Sequence, residues 1–183
     1  MKTPLSYQVT HYDSAPIAII NALSSLFERE ELDSSLIEGV YSLSYGLVVL
    51  KNTNIGIKHI CDYIQEEMED KGLSLKYLSS HEVFLGPGCN LYRSLLNGGK
   101  AVAKIFEDYP RYITITSLTN DYLYFFDPLY NKEYIEGIER VENMPFLANG
   151  RIKMSILSEI GAMHMRGKNQ EEKELVLFER IKQ

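Results

Sequence analysis

The 183-residue chain contains no tryptophan and only two cysteines, Cys61 and Cys89. Two cysteines without a Cys-x-x-Cys pair build neither a disulfide framework nor a zinc site, and no metal or cofactor is expected. Basic residues are also in deficit. Lys and Arg total 19 against 25 Asp and Glu, a net charge of -6. No basic patch can dominate such a field, which argues against a general nucleic-acid binder. Long apolar runs are missing as well. The longest is Tyr122 to Phe126, against the roughly 20 residues a membrane span needs. Met1 to Ser6 carries no apolar stretch of signal-peptide length, so the expected location is cytoplasmic.

What is present reads as an ordinary folded chain. Hydrophobic residues make up 45% and charged residues 24%, near the averages for globular proteins. The length suits one well-buried domain over 1–183 and is short for two.

The apolar periodicity changes halfway. Ile17, Ile20, Leu23 and Phe27 fall at helical spacing after Ser14 and Pro16, with Ser14 read as the N-cap. Leu36, Ile37, Val40 and Leu43 predict a second helix after Asp33-Ser34. Glu28 to Glu31 between them reads as a solvated helix end. A third helix is expected from Asn52-Thr53-Asn54, with Ile57, Ile60, Cys61, Ile64 and Met68 inward and a stop at Lys71-Gly72. Cys61 lies on that stripe, which makes it a packed, inert thiol. Asn90 to Leu96 predicts a further helix.

Short β-branched and aromatic runs then follow at 101–106, 112–118 and 122–126, separated by turn clusters at 108–110 and 119–121. Further strands are expected at 151–156 and 175–180. Helices first and an antiparallel sheet second is an α+β pattern.

Two segments stand out against these elements. Gln8, four residues, then Asp13-Ser14-Ala15 open the first helix, where unpaired amides and the helix dipole favour negative charge. Downstream, Arg111-Tyr112-Ile113-Thr114-Ile115 leads to Asp127-Pro128, and 127 − 111 is 16. In this order the segments resemble the papain-like double-glycine leader peptidases, which trim bacteriocin precursors, and more closely their free-standing bacterial relatives. That family has a glutamine, four residues and Asp-Cys-Gly. Its second block is a histidine, an aromatic and β-branched run, then Asp-Pro at the same separation. Residues 77–86 and the Leu96-Asn97-Gly98-Gly99 turn are also similar to the relatives. The resemblance covers most of residues 5–130.

The resemblance implies a papain-like fold with Gln8 at the oxyanion position, Ser14 at the nucleophile position, Arg111 at the general-base position and Asp127 as the orienting carboxylate. Two of these chemistries are altered. Arginine stays protonated at physiological pH and cannot accept a proton. Serine has essentially no anion at neutral pH without a neighbouring base. Losing the base or the nucleophile of a serine peptidase costs on the order of 10^6 in turnover. The expectation is therefore a catalytically impaired, peptidase-like protein in which Arg111 pairs with Asp127. Such a protein would bind a peptide, or an acyl chain tethered to a carrier protein, in the former groove. Two other readings stay open at this level. In one, Ser14 works with His11 as a non-standard base in an amide hydrolase or acyltransferase. In the other, the chain is a non-catalytic interaction subunit of an active homologue. Cys89, after Gly86-Pro87-Gly88, is weighed as a second nucleophile, with a structural role favoured.

Overall fold

Apolar residues on nearly every side of the segment after Asp13 make it a buried helix rather than a surface one. In the computed structural model, residues 1–10, 12–50, 53–78, 86, 88–106, 110–129, 137–157 and 174–181 are described. Helix α1 runs Ser14–Leu26, with Ala18, Ile19, Ala22 and Leu23 fully buried and Asn21 buried among them. Asn21 is satisfied by Ser6, whose N–H donates to Oδ1 at 2.8 Å and whose carbonyl accepts from Nδ2 at 3.0 Å. The N-cap is Asp13, so Ser14 is the first helical residue and not the cap.

A 3-10 turn, Arg29–Glu31, joins α1 to α2, Ser34–Leu50, and α3 follows at Thr53–Glu67. The acidic cluster at 28–31 is thus a structured turn rather than a helix end. Glu31 Oε2 accepts from the Glu28 N–H at 2.8 Å. Gly72, at φ 76, reverses the chain after α3, in a region of backbone space that glycine enters without steric cost.

The remaining elements are β1 Leu73–Leu78, α4 Asn90–Leu96, β2 Lys100–Phe106, β3 Pro110–Leu118, β4 Tyr122–Phe126, β5 Ile138–Arg140, β6 Gly150–Lys153 and β7 Leu175–Arg180. They form one antiparallel sheet in the order β1-β7-β2-β3-β4-β6-β5. The fold is α+β. Strands β1 and β5 were not expected from the sequence, and the sixth strand is shorter than the 151–156 run. Strand β1 gains its ladder only from β7, from Leu73 opposite Arg180 to Leu78 opposite Leu175. Its outer edge is covered in part by Gln65, whose amide bonds the Leu73 carbonyl at 2.9 Å and the Leu75 N–H at 2.7 Å.

Two apolar clusters lie on the two faces of the sheet. One joins Ile19, Leu23 and Phe27 of α1 and its end to Val40, Ile60, Ile64, Val102, Tyr112 and Phe178. The other joins Leu91 and Leu95 of α4 to Ala103, Ile105, Ile113, Ile115 and Leu177. Each fully buried large side chain contributes about 1.5–3 kcal/mol relative to exposure. Cys61 sits in the first cluster at 4% exposure, and burial pushes its thiol up to about 12. The packing of α4 depends on Gly99: a Cβ there would meet the Ser94 carbonyl at 2.9 Å and the Phe178 carbonyl at 3.1 Å. Among the described residues no helix is long and apolar enough to cross a membrane, and no group of His, Cys, Asp and Glu could hold a metal ion.

Candidate functional site

Helix α1 and strand β3 place the residues singled out in the sequence. The Thr114 hydroxyl donates to the Ala18 carbonyl at 2.8 Å, fully buried. At the far ends, Arg180 lies over the Phe27 ring at 4.5 Å. The N-terminus of α1 therefore points toward the Pro110-Arg111 end of β3.

At that end Arg111 is buried, with 3% of its side chain exposed, and Asp127 keeps 16%. Arg111 Nη2 donates to Asp127 Oδ2 at 2.7 Å, and Nε lies 3.2 and 3.3 Å from the two carboxylate oxygens. This is a two-pronged charge-assisted pairing, the strong form of such contacts. Arg111 opposes Ile105 in the ladder. Strand alternation gives it the face of Ile113 and Ile115, while Thr114 takes the face of α1.

Asp127 is fixed from three further directions. Its N–H donates to Asn149 Oδ1 at 2.8 Å, its carbonyl accepts from Asn149 Nδ2 at 2.8 Å, and its Oδ1 accepts from the Leu129 N–H at 3.0 Å. Asn149 carried no signal in the sequence, because it sits in a loop stretch 22 residues from its partner.

Gln8 reaches the same corner through its main chain, donating its N–H to the Pro128 carbonyl at 3.0 Å. Its side chain folds back: Nε2 donates to the Thr10 carbonyl at 3.0 Å, and Oε1 is buried without a hydrogen-bond partner among the described residues. The loop into α1 is held by Asp13. Its carboxylate accepts from the N–H groups of Val9 at 3.3 Å and Thr10 at 3.0 Å, and from the Thr10 hydroxyl. Asp13 therefore makes no side-chain cap bond to its own helix. Pro16 has no N–H. The N–H groups of Ser14 and Ala15 and the Ser14 hydroxyl have no hydrogen-bond partner among the described residues. Ser14 itself is 6% exposed.

The structure thus brings Arg111, Asp127 and the Gln8 main chain to one corner and sets Ser14 at an open helix start. His11, together with His81 and His164, lies outside the described residues, and His59 is exposed on α3. Cys89 is the N-cap of α4, where its Sγ accepts from the Tyr92 N–H at 3.4 Å, a structural contact.

A second polar group, unforeseen in the sequence, lies on the face of the sheet under the helices. Glu174 is 1% exposed, Lys104 3% and Tyr112 7%. The Tyr112 hydroxyl donates to Glu174 Oε2, and the Lys104 N–H donates to the Glu174 carbonyl at 3.0 Å. The second carboxylate oxygen is buried without a hydrogen-bond partner among the described residues. Burial raises the Glu174 carboxyl above its ordinary range, against the Tyr112 hydrogen bond and the Lys104 charge, which lower it. Burial and the nearby carboxylate raise the Tyr112 hydroxyl as well.

No protein-family profile matches the chain, and no curated protein is significantly similar to it.

Proposed function

We propose that this chain is a papain-like, peptidase-related domain that has lost hydrolytic chemistry and binds an extended peptide, or an acyl chain on a carrier protein, without cleaving it. The observation that carries the reading is the buried pairing of Arg111 with Asp127. By the resemblance Arg111 stands at the general-base position, where a guanidinium cannot take a proton, although strand alternation sets it on the sheet face opposite α1 and Ser14. Without a base among the described residues, the Ser14 hydroxyl is a poor nucleophile.

Binding is supported by what the site keeps. The N–H groups of Ser14 and Ala15 at the start of α1, unpaired among the described residues, suit a carbonyl or carboxylate oxygen. In the lead-in just before them in the chain, Val9 is 91% and Tyr12 71% exposed. These are apolar surfaces that an extended ligand would cover.

The test is a double substitution, Ser14→Cys with Arg111→His. Recovered cleavage of a Gly-Gly leader peptide supports descent from a peptidase. A correctly folded double variant with no cleavage and no leader binding removes that support. Labelling of the native chain by a serine-directed fluorophosphonate, abolished by Ser14→Ala, would overturn the loss of activity and favour the hydrolase reading.

A further inference from the structure

A half-open cavity of about 460 Å³ lies between the lead-in and the loop after β5, within the ordinary size range of small-molecule sites. Its floor is Leu5, Phe126 and Ala148, which are 6%, 1% and 2% exposed. Tyr7 and Met144 stand at its rim at 47% and 43% exposure.

The walls are pinned rather than loosely apposed. The Leu5 N–H donates to the Pro145 carbonyl at 2.8 Å, the Val141 N–H to the Asn149 carbonyl at 3.0 Å and the Asn149 N–H to the Phe125 carbonyl at 3.2 Å. The Tyr7 and Phe126 rings meet at 4.9 Å between centroids. A space held open this way cannot collapse onto its own apolar floor, so an apolar group that displaces water from it gains dispersion contacts with that floor.

The charged groups decide the kind of occupant. Arg140 and Glu142 both line the cavity, two residues apart in the chain. Arg140 brings a positive charge and Glu142 a negative charge to this lining. A molecule carrying both charges meets a complement to each. A guanidinium has five N–H donors, so Arg140 can serve a ligand carboxylate alongside its contacts within the protein. The apolar floor then calls for an apolar group beside the two charges.

We propose that this cavity is a binding site for a free apolar α-amino acid, with the carboxylate at Arg140, the ammonium at Glu142 and the side chain against Phe126 and Ala148. The site is separate from Ser14 and does not depend on whether the chain once was a peptidase.

The test is calorimetric titration of the full chain with L-leucine, L-methionine and L-phenylalanine. The expected result is saturable binding of at least one of them. It should weaken about tenfold or more in Arg140→Gln and in Glu142→Gln, each of which removes a charge-assisted hydrogen bond, and disappear in Ala148→Leu, which fills the floor. Leucine amide lacks the anion and 4-methylpentanoate lacks the cation, and each should bind about tenfold or more weakly to the unaltered chain. No saturable heat below about 10 mM for any of the three amino acids would overturn the proposal. Equal binding of either analogue would overturn the two-charge assignment, and this arm needs no variant that could misfold.

Discussion

Asn149 holds the main chain of Asp127 at two points, accepting from its N–H and donating to its carbonyl, both at 2.8 Å. A side-chain amide is the one group that offers an acceptor and a donor in this spacing, so it stands in for a neighbouring strand just where β4 ends. The carboxylate that meets Arg111 is therefore positioned by a residue on the far side of a loop.

Replacing Asn149 with Ala should destabilise the protein by about 2 kcal/mol, the net worth of two hydrogen bonds plus partly desolvated groups left unpaired. Asn149→Asp should not rescue it, because a carboxylate cannot donate to the Asp127 carbonyl. Urea denaturation of the two variants decides this, and wild-type stability in Asn149→Asp would show the bracket to be unimportant.

Arg111→Met should cost about 3 kcal/mol, at the lower end for breaking a buried ion pair because Asp127 keeps some exposure. Adding Asp127→Asn should return part of that loss, since the uncompensated charge is gone. A double-mutant cycle by thermal or chemical unfolding reads the coupling. Strictly additive losses would mean that the two groups do not act as a pair.

Glu174 sets a pH dependence of unusual sign for a carboxylate. Its folded-state carboxyl is raised above the ordinary value, chiefly by burial. Its contribution to stability is therefore fully present below the ordinary glutamate range and is lost as pH rises through the raised value. Glu174→Gln removes this loss. Unfolding free energies of wild type and variant should diverge in favour of the variant as pH rises from the ordinary glutamate range through the raised value. Parallel profiles over that window would contradict the assignment.

The two thiols should separate cleanly. Cys61 is buried with its thiol pushed up to about 12, whereas Cys89 is partly exposed at the start of α4. Because the thiolate is the reactive form, a disulfide reagent should titrate one thiol per native chain and two after denaturation. Equal reaction of both in the native state would place Cys61 in a more open environment than the packed core of α3.

Some of this was legible in the chain. The 3.6-residue spacing of Ile57, Ile60, Ile64 and Met68 names both a helix and its buried face, since each residue's contribution is local. The aromatic and aliphatic runs at 122–126 and 175–180 coincide with β4 and β7. Strand β1 was missed because Leu73 to Leu78 acquires its ladder from a partner a hundred residues on, Arg180 opposite Leu73. The loop role of Asp13, the clamp of Asn149 and the burial of Lys104 and Glu174 were likewise unreadable, because each depends on a neighbour distant in sequence.

The sequence alone determined the α+β order, the inert stripe position of Cys61 and the placing of an arginine sixteen residues before Asp127. These follow from residue identity and from periodicities of two and 3.6. Only the tertiary structure decided that Arg111 meets Asp127 in a buried pair, that Gln8 turns its amide onto its own loop, and that a pinned cavity forms beside Phe126. Those facts arise where segments far apart in the chain are brought within about 3 Å, a hydrogen bond's length, of one another. No local pattern encodes that distance.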